Sequence, residues 1–293
     1  MRLKITSTLF CVALCFKLLN AGVVPVTSLY PYSTLWYNPA YTGYHEKNAL
    51  AVLGRAQWIG LEGAPNTAVI SYDKYLAKRN WGMGAVYMYD EISFTKTNSL
   101  GWIYMYRLKL KESVDIRLGH QISVINKMTD YSKYEPFGPD PAIPTGKFSD
   151  TKIDVDLGMW FNAKDFYFGF SISNFLEQKF KHDNVILKNY TRMHITSGYF
   201  FRVGDYVTIH PSLRYMYMEY TDLLDINTTF IFNDLFHFGI SYRGIVHENS
   251  NPLVLILGST IKEKYEIMMS YDISTTDEFP GTIETVLRYK FGE

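Results

Sequence analysis

The chain alternates apolar and polar residues with a period of two, and the pattern recurs over most of its length. The last repeat is the plainest. In Thr282–Phe291, Ile283, Thr285, Leu287, Tyr289 and Phe291 share one face, while Thr282, Glu284, Val286, Arg288 and Lys290 share the other. Successive side chains of a strand point to opposite faces, so this segment predicts a strand with one apolar and one charged surface. Phe236, Phe238, Ile240 and Tyr242 oppose His237, Gly239, Ser241 and Arg243 in the same way. So do Ile153, Val155, Leu157, Met159 and Phe161 against Lys152, Asp154, Asp156, Gly158 and Trp160. Val207, Ile209, Leu213 and Tyr215 oppose Thr208, His210, Ser212 and Arg214, and Leu100 shares a face with Trp102, Tyr104 and Tyr106. The pattern predicts fourteen strands, at 47–58, 66–73, 80–89, 97–108, 113–125, 151–162, 165–174, 191–202, 206–217, 224–232, 236–244, 252–261, 264–272 and 281–291. Each is near the ~9–11 residues that a tilted strand needs to cross a bilayer.

The connections sort by parity. Those after even-numbered strands are short: 109–112, 163–164, 203–205, 233–235 and 262–263. The longer ones follow odd-numbered strands, above all 126–150 and 175–190. Short periplasmic turns and longer outer loops are the habit of outer-membrane barrels, and an even strand count returns both ends to the periplasm. A soluble β-sandwich also alternates. The aromatic content, 24 Tyr, 19 Phe and 5 Trp, favours lipid-facing walls with interfacial girdles instead. The expected fold is all-β: a transmembrane antiparallel β-barrel of about 14 strands, reading as 47–291, with outer-membrane lipid as its first partner.

The chain begins with Arg2 and Lys4, an apolar stretch from Ile5 to Phe16, and Leu19-Asn20-Ala21 as a cleavage site. This is the layout of a secretory signal peptide over 1–21, leaving 22–46 as an N-terminal periplasmic segment. Cleavage would remove Arg2, Lys4 and Lys17, leaving 26 basic and 29 acidic groups and a net charge of −3. It would also remove Cys11 and Cys15, and with them any thiol nucleophile or thiolate metal ligand. The near-even charge gives no basic footprint for nucleic acid.

The predicted inward face carries both signs: Asp115, Arg117, Lys152, Asp154, Asp156, Arg192, His194, Arg214, Asp225, Arg243, Glu266, Glu284, Arg288 and Lys290. A strongly selective pore would carry a ring of one sign. Mixed signs favour pairing across a lumen that is closed or filled by loops. The 126–150 loop, with Pro136, Pro139, Pro141 and Pro144, is long enough for a lumen plug or a partner surface. His194, His210 and His237 fall on different strands, and no catalytic or cofactor motif is readable, so no enzyme and no cofactor is expected.

Ahead of the first strand lies Asn38-Pro39-Ala40-Tyr41-Thr42-Gly43. Arg55, Gln57 and Trp58 follow, then Glu62-Gly63-Ala64-Pro65 and Thr67. This ordered run, between a signal peptide and a barrel pattern, resembles the PorP/SprF family of outer-membrane proteins of the type IX secretion system. Two departures stand out: Val23–Tyr32 lacks the glutamine-rich stretch common in that family, and Thr42 stands where Ala is common. The resemblance implies a non-enzymatic role in the outer membrane. It implies export or anchoring of a secreted surface protein, such as a gliding adhesin, through that protein's C-terminal sorting domain, with other secretion components as further partners. A porin-like transport barrel for small or apolar solutes is the alternative. From their chemistry, Asn38–Gly43 and Glu62–Pro65 read as structural turns closing the first hairpin, because Pro and Gly set backbone geometry.

Overall fold

The computed structural model describes residues 25–133, 144–182, 185–219, 221–245, 253–274 and 279–292. The segment 1–21, expected as a signal peptide, lies outside them, as do Pro136, Pro139 and Pro141. The strands are β1 (Asn48–Ala56), β2 (Asn66–Leu76), β3 (Trp81–Ile92), β4 (Thr95–Lys111), β5 (Val114–Asp130), β6 (Lys147–Ala163), β7 (Phe166–Ser173), β8 (Lys179–His182) and β9 (Val185–Lys188). They continue as β10 (Arg192–Tyr199), β11 (Phe201–Val203), β12 (Val207–Met218), β13 (Thr221–Phe232), β14 (Phe236–Ile245), β15 (Leu253–Ile261), β16 (Tyr265–Ile273) and β17 (Thr282–Phe291). All pairings are antiparallel, and β8 and β9 form a separate hairpin. β10 and β11 are one wall position interrupted at Phe200, since both pair with β12. The sheet closes at the first and last strands, from Asn48↔Phe291 to Ala56↔Ile283. The result is a closed barrel of 14 strands among the described residues. Closure satisfies every wall strand with two neighbours, which the hydrocarbon interior demands. Among the described residues no helix is long and apolar enough to cross a membrane.

The two faces fall as the alternation requires. Phe236, Phe238, Ile240, Tyr242, Leu287 and Tyr289 are exposed on the outer wall, whereas His237, Ser241, Arg243, Glu284 and Val286 are buried inside. Trp81, Tyr106, Tyr199, Phe201, Tyr265 and Tyr289 form an outward aromatic band at the end carrying the short turns. Tyr87, Tyr217, Tyr242 and Tyr271 lie outward toward the loop end. Such belts suit the two membrane interfaces.

The parity of connection lengths fails at two places: between β12 and β13, where Met218 pairs with Thr221 and only residues 219 and 220 intervene, and between β3 and β4. β3 and β4 continue past their predicted ends until Ile92 pairs with Thr95, so only Ser93 and Phe94 join them. Ser93 takes φ 52°, as a tight hairpin requires. β5 and β6 lengthen likewise, taking residues 126–130 and 147–150 out of the expected loop. β4, β5 and β6 are 17 residues each, against 9 for β1.

The largest departure from the sequence reading concerns the segment expected in the periplasm. Residues 25–46 fold into the lumen. Leu29 and Tyr30 are fully buried, and a one-turn helix (Thr34–Tyr37) leads to a 3-10 turn (Pro39–Tyr41). The cause is a patch of inward aliphatic residues that water would otherwise wet. Leu53, Val69, Val86, Ile103, Val254 and Ile256 point inward, and Leu29, Tyr32 and Leu35 cover them. Burial of such surface contributes roughly 25 cal/mol per Å². Among the described residues, the N-terminal segment is what plugs the lumen.

Leu257, 57% exposed at the centre of β15, tests the outer face. Leu257→Arg should cost about 2–4 kcal/mol in urea unfolding from phospholipid vesicles, the range for an arginine near the bilayer midplane. A loss below about 1 kcal/mol, the value typical of the interfaces, would contradict a lipid-facing wall.

Candidate functional site

The lumen and its loop-end mouth carry the features that can act. Inside, six charged side chains from one half of the wall form a chain of ion pairs in which the sign alternates from partner to partner. They run Arg214 (β12), Asp225 (β13), Arg243 (β14), Asp272 (β16), Arg55 (β1) and Glu284 (β17). Arg214 Nε lies 3.0 Å from Asp225, and Arg243 lies 2.8 Å from Asp225 and 3.4 Å from Asp272. Arg55 reaches Asp272 at 3.2 Å and Glu284 at 2.8 Å. All six are buried.

The plug satisfies most of what this ladder leaves over, with Arg55 Nε and Asp272 Oδ1 still unpartnered among the described residues. The carbonyl of Thr27 accepts from Arg214 at 2.8 Å and from Arg243 at 3.1 Å. The backbone N–H groups of Ser28 and Leu29 donate to Glu284 at 2.9 and 3.1 Å, and the Thr27 hydroxyl donates to the same carboxylate. Ser28 Oγ donates to Asp272 at 2.8 Å and accepts from Arg55 at 3.0 Å. Lower down, Arg288 pairs with Glu266 and donates to the carbonyl of Tyr32.

The Asn-Pro-Ala-Tyr-Thr-Gly run lies next in the lumen. It is a turn, but it joins no two strands. Asn38 Oδ1 accepts from the N–H of Ala40 at 3.0 Å, while Asn38 Nδ2 donates to the carbonyls of Met159 and Phe170 at 3.2 and 3.3 Å. Tyr41 stacks on Tyr44 and meets Trp160 edge-on. The N–H of Gly43 donates to Asp73 at 2.6 Å, and its φ of 67° suits glycine. Inward glycines of the wall form the bed for this turn. A Cβ on Gly119 would sit 2.5 Å from the N of Ala40, and one on Gly82 would sit 2.9 Å from the carbonyl oxygen of Thr42. Gly158 would strike Asn38 likewise. The close packing expected at Gly82 has the plug as one cause, whereas Gly84 is tightest against the carbonyl of Tyr72 on the neighbouring strand.

The remaining motif residues part company. Arg55 and Thr67 point inward, with Thr67 Oγ1 donating to Asp90 at 2.7 Å. Gln57, Trp58 and Glu62-Gly63-Ala64-Pro65 form the 57–65 connection between β1 and β2, so only this part closes the first hairpin. The N–H of Gln57 donates to Pro65, the carbonyl of Gly63 accepts from Ser93, and Trp58 packs on Phe279.

At the loop end, 174–191 is pinned to β6. The N–H groups of Asn174 and Leu176 donate to Asp156 and Asp154 at 2.8 and 3.0 Å. Phe180 of β8 is fully buried beneath the ammonium of Lys127. Lys188 bonds Glu177 at 2.7 Å and holds its carboxyl below the usual range. Phe175, Leu176 and Ile186 remain exposed. These three histidines have separate surroundings: His210 bonds Tyr167, His237 bonds Tyr32 and Thr260, and His194 lies tilted against Tyr37.

Asp73, Asp272, Ser28 and the glycine bed were missed from the sequence. The glycines left a signal, since Gly119 and Gly158 fall at inward parity between charged or polar neighbours.

Residues 19–289 match the family described as "Type IX secretion system membrane protein PorP/SprF". No match was found among curated proteins. Among solved structures the fold is similar to the CymD monoaromatic hydrocarbon channel (10% identity, 89% of this chain and 93% of that one, TM-score 0.55). It is also similar to the Ralstonia pickettii toluene transporter TbuX (9%, 89% and 94%, 0.53) and a Pseudomonas aeruginosa FadL homologue (9%, 89% and 94%, 0.51). At these identities the likeness is one of fold, and that fold together with the matched family places the chain in the cell outer membrane.

Two substitutions test the seating of the plug. Arg55→Met leaves Glu284 and Asp272 buried beside one cation fewer. It should lower stability by about 3–5 kcal/mol in denaturant, with part recovered by adding Glu284→Gln. Gly119→Val should displace the turn at Pro39-Ala40 without opening the ring. Proteinase K should then cut within 25–46 while the barrel keeps its heat-modifiable mobility; an uncut plug would refute the glycine bed.

Proposed function

Because the chain belongs to the PorP/SprF family of type IX secretion system membrane proteins, we propose that it serves one secreted surface protein as its outer-membrane partner. The role is non-enzymatic. The barrel exports or anchors a protein such as a gliding adhesin by binding its C-terminal sorting domain, alongside other secretion components. The observation that carries this reading is the occupied lumen. With residues 25–46 held by the ladder and the glycine bed, the lower lumen is filled, and binding of a protein partner falls to the loop end. There the tall β4–β6 wall and the pinned 174–191 loop offer a shaped surface with exposed Phe175, Leu176 and Ile186. Exposed apolar residues on a rigid support suit protein recognition.

Solute transport is the second reading, favoured by the likeness of fold to channels for hydrocarbons. The plug weighs against it, since it covers the apolar inner patch that such a solute would use.

Affinity capture of the tagged protein from its own outer membrane, followed by mass spectrometry, tests the proposal. It should recover a large secreted protein with a C-terminal sorting domain, and Phe175→Asp with Ile186→Asp should reduce that recovery severalfold. Recovery of barrel-assembly machinery alone would refute it. Stable porin-like conductance of the wild-type protein in planar bilayers would favour transport instead.

A further inference from the structure

Above the plug, toward the loop end, the lumen holds a cavity of about 430 Å³. That is within the ~300–1,000 Å³ of small-ligand sites. One wall is apolar, with Trp36 from the plug beside Val86, Met88 and Ile125. The other is polar, with Asp90, Lys127, Asp154, Asp156, Arg192 and His194. Leu187 to Tyr190, at the root of the β8–β9 hairpin, also border it.

Most of the polar groups have partners. Asp90 accepts from Thr67 at 2.7 Å. Asp156 accepts from the N–H of Asn174 at 2.8 Å and from Gln121 at 3.0 Å. Lys127 donates to Asn189 at 2.9 Å. Three groups keep capacity to spare. His194 is only 4% exposed, yet neither ring nitrogen has a hydrogen-bond partner among the described residues. Arg192, the preceding inward residue of β10, lines the same cavity with its Nε unpartnered, and no ion pair within 4.0 Å involves it among the described residues. Successive inward positions lie roughly 7 Å apart along a strand. Asp154 satisfies Oδ1 through the N–H groups of Val155 and Leu176 and leaves Oδ2 unpartnered. Buried groups of this kind are costly to leave unpaired.

We propose that this cavity binds a carboxylate carried beside an amide N–H and an apolar side chain. Arg192 and His194 take the carboxylate as donors, the guanidinium fork being suited to it. Asp154 Oδ2 accepts from the amide N–H. The apolar side chain lies along Trp36, Val86 and Met88. Two sources share this chemistry: the last residue of a peptide chain and a free N-acyl amino acid. The site rests on the cavity alone and holds whether or not the chain serves a secreted protein.

Isothermal titration of the full protein in detergent micelles tests it with two pairs of probes. One pair is N-acetyl-L-phenylalanine and its amide. The other is a glycine-serine hexapeptide ending in phenylalanine, as free acid and as amide. The acids should bind about tenfold more tightly than the amides, the scale of a lost charge-assisted hydrogen bond. Arg192→Met should abolish that preference, and Arg192→Lys should restore part of it, with heat-modifiable mobility unchanged in both. Lys262→Met, in a turn at the far end, should alter nothing. Preference for the peptide acid identifies a chain end as the source, and binding of the small acid alone identifies a free acid. Equal binding of acid and amide, binding indifferent to Arg192→Met, or no binding at millimolar concentration would overturn the proposal. The affinity capture described above reads the outer surface, so its failure is distinguishable from failure here.

Discussion

Six alternating charges and three residues of backbone hold this molecule together. Three guanidinium groups and three carboxylates stand buried across β12, β13, β14, β16, β1 and β17. Any one of them alone would be expensive to bury, and alternation in sign offsets the cost only if the leftover donors and acceptors are met. Thr27, Ser28 and Leu29 meet most of them, through one carbonyl, two N–H groups and two hydroxyls. The wall therefore needs the plug electrostatically as much as the plug needs the wall for burial. The ladder also crosses the seam where the ring closes, since Arg55 and Glu284 are direct cross-strand neighbours on the first and last strands. Seam, ladder and plug form one cooperative unit.

The barrel was legible because a strand with lipid on one side and a polar interior on the other must alternate, and alternation survives in the sequence. The inward charges from Asp115 to Lys290 were legible for the same reason. The plug was not. Residues 25–46 carry no period of two or of 3.6, because they pack against many wall strands at once. Their decisive contacts span the whole chain, as in the bond from Ser28 to Glu284. The tall wall escaped for another reason. Residues such as Thr95, Thr97, Asn126 and Ser149 are polar on both faces, as strands are once they leave the membrane, so their alternation is blank. The β8–β9 hairpin is too short to show a period at all.

The Asn-Pro-Ala-Tyr-Thr-Gly run shows how a motif can be recognised correctly and placed wrongly. Its turn chemistry was readable, since Asn38 caps Ala40 and Gly43 takes a positive φ. What it turns against was not. Small residues at inward parity on β3, β5, β6 and β7 are the counterpart of the motif, and each half makes sense only with the other. Gly82, Gly119 and Gly158 leave the wall bare where the backbone of the plug lies close. Arg55 belongs to the same constellation through Ser28, whereas Trp58 and Glu62–Pro65 shape the outer hairpin.

The difference in strand length has a geometric consequence. With 17 residues in β4, β5 and β6 against 9 in β1, β15 and β16, the rim is lopsided. Eight residues at ~3.3 Å each make these strands roughly 25 Å longer, a difference divided between the turn end and the loop end. The outer face is thus a shelf with a high side and a low side. A body descending from outside the cell meets the high side first, while a neighbour drifting in the plane of the bilayer reaches the β1 and β15–β17 side without obstruction. The two approaches use different surfaces of the barrel.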